Sequence, residues 1–135
     1  MIVVTDIGNT TIHIAAFEKS QMIEDWYLQT PKRTASENLE LELTQFIQGH
    51  QTLFTEPHFE GWILCSVVPW ITPIFGEMVR NLIGVIPIAL TRSSPLPIRL
   101  LPGEAPSIGI DRLIVAAAAY DLVCGSVITV DIGTA

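Results

Sequence analysis

Residues 3–17, VVTDIGNTTIHIAAF, set two apolar, largely β-branched runs on either side of a short polar turn. Such runs favour extended chain, and a turn this short joins only antiparallel neighbours. Residues 2–5 read as a buried strand, 11–17 as a second, and 22–28, with Trp26 and Tyr27, as a third. Three strands joined by short turns make an antiparallel meander. A meander must cover at least one face, and the rest of the chain supplies helical patterns that can do so.

Thr34 and Glu37 have capping-box spacing, and Leu39, Leu43, Phe46 and Ile47 share one helical face, with Gly49 as the stop. GWILCSVVP, residues 61–69, is a short continuous apolar run, as expected of a strand covered on both faces. Pro73 suits the first turn of a second helix, whose expected stripe is Ile74, Met78 and Leu82 and whose stop is Gly84. A strand over 85–91 carries Pro87, which fits an edge position. Residues 92–106 hold four prolines and read as an extended loop. A last helix is expected from about Ser107 to Val123 with Gly125 as its stop, then a strand over 126–130. A meander followed by strand–helix alternation is the layout of a ribonuclease-H-like α/β domain, a mixed sheet with flanking helices.

In TDIGNTT, Asp6 stands where a buried strand ends. Gly8 can take positive φ in the turn, and Asn9, Thr10 and Thr11 offer side-chain donors and acceptors. Successive backbone N–H groups in such a turn can wrap terminal phosphates of a nucleotide. A carboxylate repels polyphosphate unless a cation lies between them, and Mg²⁺ takes oxygen ligands from both. Gly-Asn is also an ordinary hairpin signal that Asp6 could simply cap, so on this motif alone both readings stay open. The last residues, VITVDIGTA, begin the same phrase again: strand, Asp131, apolar residue, Gly133, Thr134. Two such turns, one from each of two related domains, can clasp a nucleotide between them.

A third element, SIGIDRLIVAAAAYDLV, puts Gly109, Asp111 and Arg112 in the first turn of a helix. The positive end of the helix dipole favours an ionised Asp111, which can accept a proton from an alcohol attacking phosphorus. Arg112 can grip a carboxylate or phosphate with two parallel hydrogen bonds. Taken singly, the plainer reading is an acid placed well for the dipole, with Arg112 as its surface partner.

Charge narrows the partners. The net charge is −7, with seven Lys and Arg in all and no basic cluster, which argues against a nucleic-acid partner. The longest apolar run, Leu113 to Tyr120, is too short to span a bilayer, and the start of the chain lacks a basic leader. Cys65 and Cys124 are isolated in apolar stretches and read as buried, reduced thiols of a cytoplasmic protein. At 49% apolar residues the chain is rich for a small free-standing domain, which points to a partner domain or subunit.

DIGNT at 6–10, SVVP at 66–69, LPIR at 96–99, GIDR at 109–112 and DIGTA at 131–135, in this order and spacing, resemble the type III pantothenate kinases. That family belongs to the superfamily of acetate and sugar kinases, actin and heat-shock chaperones, and the resemblance covers the whole chain. It implies an actin-like ATPase domain and ATP-dependent phosphorylation of pantothenate, the first step toward coenzyme A. Asp6, Ile7, Gly8, Asn9, Thr10, Thr11, Ile12, His13 and Thr134 would bind ATP. Gly109, Ile110, Asp111 and Arg112 would bind pantothenate, with Asp111 accepting the hydroxyl proton. Leu100 stands near the substrate where the family often has Tyr, and the loop from Arg99 to Gly109 is longer than usual. Asp6 would act through Mg²⁺ held with ATP, and Asp131 would serve a monovalent cation, K⁺ or NH₄⁺. The resemblance implies a homodimer.

It also implies a division into a domain over 1–106, a linking helix over 107–125, and the first strand and phosphate turn of a second domain over 126–135. Family members continue into that second domain, so a separate chain of 135 residues is expected to turn over little or not at all. Alternatives are a non-catalytic regulatory module of the same family, or another small-molecule kinase or phosphatase of the superfamily. His13, His50 and His58 share no metal-ligand spacing. Trp26, Trp62 and Trp70 read as core or interface, and Glu37, Glu40 and Glu42 as a solvated face.

Overall fold

The computed structural model describes residues 1–33, 36–54, 59–99 and 108–132. Five strands form one sheet: β1 (Ile2–Ile7), β2 (Thr11–Glu18), β3 (Gln21–Gln29), β4 (Gly61–Ser66) and β5 (Ile88–Ala89). Helices α1 (Ser36–Gly49), α2 (Ile71–Ile83) and α3 (Ile110–Val123) accompany them. The spatial order is β3-β2-β1-β4-β5. β1, β2 and β3 pair antiparallel, while β4 runs parallel to β1 and β5 parallel to β4. This mixed sheet, meander first and then parallel crossovers through helices, is the ribonuclease-H-like α/β layout expected from the sequence.

Alternation along the strands sorts their residues onto two faces. Val3 and Ile7 of β1, Ile12, Ile14 and Ala16 of β2, and Trp62 and Leu64 of β4 are buried in the main core. Leu39, Leu43, Phe46 and Ile47 of α1 pack there, as their spacing requires, together with Ile71, Phe75 and Val79 of α2. The opposite face carries Val4 and Asp6, Cys65 beside Asp6, and His13 on its other side. α3 packs on it through Ile110 and Leu113 against Cys65, and Leu90, Leu96 and Ile98 pack beside them. β4 is thus covered on both faces.

Several expectations are corrected. The buried stripe of α2 is Ile71, Phe75 and Val79, and Leu82 is exposed. Both sets recur at helical spacing, and the bulkier Phe75 takes the core side. β4 ends at Ser66 and the strand over 85–91 shrinks to Ile88–Ala89, an edge strand as Pro87 requires. α3 begins at Ile110 with Gly109 as its cap, and Cys124 rather than Gly125 takes the left-handed stop, at φ 51°. Cys124 is exposed, not buried. Residues 126–130 form no strand: Ile128 and Val130 are exposed, and among the described residues no edge pairs with them. β-branched propensity cannot supply the neighbour that a strand needs. The Thr34 cap, His58, Leu100, Gly133 and Thr134 lie outside the described residues.

One polar group sits in the middle of the core. Thr5 is fully buried, and its hydroxyl oxygen accepts a hydrogen bond of 2.8 Å from the Trp62 indole N–H. Thr5→Val keeps the volume but strands that N–H, which should cost about 1–3 kcal/mol in a urea titration. Adding Trp62→Phe should then recover part of the loss, since it removes the orphaned donor. Additive losses in the double variant would show that the pair is not coupled.

Candidate active site

β1 ends in the middle of the sheet, and that end carries Asp6. Its neighbours follow from register: His13 lies across on β2 and Cys65 across on β4. Packing of Ile110 and Leu113 brings the start of α3 over the same end of the sheet. Asp6, Asp111, Arg112 and Asp131 consequently line one cleft of about 730 Å³, with Cys65 in its floor.

The cleft is electrostatically loaded. Asp6 is exposed in surface area, yet crowding of its carboxyl by the protein, then the Asp111 charge and, more weakly, Asp131 raise its pKa above the ordinary value of 3.8. A hydrogen bond from the Cys65 thiol and the nearby His13 oppose the rise. An acid with a raised folded-state pKa binds more protons folded than unfolded. Its contribution to stability is therefore greatest below pH 3.8 and falls as pH rises through the raised value. Cys65 is shifted too: burial, the charges of Asp6 and Asp111, and its bond to Asp6 push the thiol up to about 12.

Asp111 sits in the first turn of α3. Its Oδ1 is buried and lacks a hydrogen-bond partner among the described residues. Gly109 makes room for it, because a Cβ at 109 would overlap Asp111 Oδ1. A buried acceptor held this way costs free energy unless a donor or cation reaches it. Oxygen donors of this kind suit Mg²⁺ or K⁺. Among the described residues no three His, Cys, Asp or Glu side chains gather closely enough to cage a metal by themselves. The set instead fits an ion that takes its other ligands from phosphates and water.

The remaining expected residues divide. Asn9, Thr10 and Thr11 are exposed in the β1–β2 turn, which the Gly8 N–H closes onto the Thr11 carbonyl at 2.9 Å. Gly8 does not adopt positive φ; a Cβ there would lie 3.3 Å from the Thr11 oxygen, so close approach is what its missing side chain permits. Ile7 and Ile12 are wholly buried, leaving only their backbone for any ligand. His13 donates from Nε2 to Asp25 at 2.8 Å and stacks on Tyr27 with ring centroids 4.2 Å apart. Gly109 and Ile110 open instead onto a separate cavity of about 990 Å³ between α2, β5 and the start of α3. Cys65 was not legible as a site residue, because only strand register sets it beside Asp6.

The model of the type III pantothenate kinases matches residues 2–135. The chain belongs to the type III pantothenate kinase family. A type III pantothenate kinase of Dehalococcoides mccartyi is 30% identical over 134 residues, which is 99% of this chain and 51% of that protein. One of Streptomyces griseus is 30% identical over 138 residues, covering 100% of this chain and 52% of that protein. The chain thus spans about half the length of the curated relatives it matches. Among solved structures, the ethanolamine utilization protein EutJ from Carboxydothermus hydrogenoformans matches with a TM-score of 0.44 at 15% identity, over 64% of this chain and 42% of that one. No helix among the described residues is long and apolar enough to cross a membrane.

The two thiols should separate cleanly in a disulfide-exchange assay near pH 8. Cys124 is exposed and reacts at once, whereas Cys65, buried and protonated, reacts only after denaturant is added. Two fast thiols in the folded protein would contradict the closed floor of the cleft.

Proposed function

We propose that this chain is the phosphate-binding and base-bearing part of an enzyme that transfers the γ-phosphoryl group of ATP to the primary hydroxyl of pantothenate. One observation carries the reading: Asp6, Asp111 and Asp131 line a single cleft, and the buried Asp111 Oδ1 awaits a partner. The pantothenate hydroxyl is a donor that would satisfy it.

Asp111 accepts the hydroxyl proton as the alcohol oxygen attacks the γ-phosphorus, and ADP departs. It stands in the first turn of α3, on the cleft that Asp6 also lines. Arg112, beside it on the cleft, pairs with the substrate carboxylate. Gly109 and Ile110, which open onto the neighbouring cavity, would meet the part of the substrate that extends there from Asp111, as Leu100 would. The turn from Gly8 to Thr11 holds the phosphates, with Ile7, Ile12 and His13 beside it and Thr134 on the second phosphate turn. Asp6 would hold Mg²⁺ with ATP, and Asp131 a monovalent cation, K⁺ or NH₄⁺. When bound, these ions neutralise charge between the carboxylates and the triphosphate. Positioning supplies much of the rate in such transfers.

The proposed division is a domain over 1–106, a linking helix over 107–125, and a start of a second domain over 126–135. The exposed Ile128, Val130 and Ile132 support a partner for that last segment. The enzyme acts in the cytoplasm as a homodimer.

The test is steady-state phosphorylation of pantothenate by the complete protein with Mg²⁺ and K⁺. Asp111→Asn should lower kcat by about 10²–10⁴, the range of a lost general base, with little change in KM for ATP. Unchanged turnover would remove Asp111 as the base. A protein that binds ATP but leaves pantothenate untouched would point to another acceptor.

A further inference from the structure

Thr30, the residue that follows β3, holds the turn between β1 and β2 by two hydrogen bonds. Its N–H donates to the Thr10 carbonyl at 2.9 Å, and its hydroxyl donates to the Gly8 carbonyl at 2.8 Å. β3 brings it there by register, since Gln29 pairs with Thr11. Gly8 is tied a second time through its own N–H to Thr11. These hydrogen bonds fix a turn whose Asn9, Thr10 and Thr11 are exposed.

The consequence lies in the donors. A trans peptide points its carbonyl and the following N–H in opposite directions. By holding the Gly8 carbonyl, Thr30 turns the N–H of Asn9 away from itself, while Thr11 faces Gly8 across the hairpin. Donors fixed before a ligand arrives need no reorganisation when it binds, which is what an anion site requires. A turn of Gly, Asn and two Thr without such an anchor would sample several backbone states.

We propose that Thr30 is a positioning residue for the triphosphate, acting through the backbone of the Gly8–Thr11 turn and touching no ligand itself. This rests on the reading that the turn holds ATP. The side-chain bond is the part that can be removed cleanly. Thr30→Val keeps the shape and the N–H bond but leaves the Gly8 carbonyl without the hydroxyl, while Thr30→Ser keeps the hydroxyl.

Calorimetric titration of the complete protein with Mg-ATP reads the effect directly. Thr30→Val should weaken ATP binding about two- to tenfold, the value of one hydrogen bond, and raise KM for ATP by the same factor. KM for pantothenate should stay as it was, and Thr30→Ser should restore ATP binding. A purely structural role would instead lower the melting temperature and move both KM values or neither. ATP binding equal in wild type and Thr30→Val would overturn the role of Thr30 while leaving the kinase reading intact. A wild-type protein that binds no ATP would overturn both.

Discussion

The fixed end of β1 is the constraint around which this domain is arranged, because it holds Asp6 in a cleft that Asp111 and Asp131 also line. Acids gathered there do so at a cost: desolvation first, and the Asp111 charge second, hold the Asp6 pKa above its ordinary value. The fold holds them there by ordinary means. β1 is the middle strand, bonded on both edges, so its end cannot move away. α3 is fixed over the same face by Ile110 and Leu113 against Cys65. A site of this kind is unfavourable by itself and becomes favourable when a cation or donor enters, a common signature of function rather than stability.

The two faces of the sheet divide the labour. On the face toward α1 and α2, Thr5 is the fully buried polar residue among those described, and its hydroxyl is satisfied by Trp62. That face supplies rigidity. The other face is covered by α3 and by Leu90, Leu96 and Ile98, and the cleft left there opens Asp6 to a ligand. On this face Cys65 packs under α3, and its thiol donates a hydrogen bond to Asp6.

Much of this was legible in the residues. The β-branched runs around DIGNT gave the meander, and continuous apolarity gave β4 as a doubly covered strand. The recurrence of Asp at a strand end, with Asp111 at a helix start, pointed to acids meeting in one place. What stayed hidden was set by tertiary choice. Periodicity could not choose between Ile74, Met78, Leu82 and Ile71, Phe75, Val79, because both repeat at helical spacing. Gly8 read as a positive-φ residue, whereas the turn needs its missing Cβ for a close carbonyl. Residues 126–130 have strand composition but no edge to join among the described residues. Cys65 and Thr30 reach the site through strand pairing across 59 and 22 residues from Asp6 and Gly8, a link no local pattern carries.

The central claim is that Asp6 and Asp111 act on each other across one cleft. Carbon-detected NMR titration of the Asp6 carboxyl, in wild type and in Asp111→Asn, tests it most directly. The account predicts a midpoint above 3.8 in wild type that falls toward it when the Asp111 charge is removed. A midpoint at the ordinary value, unmoved by that substitution, would contradict it.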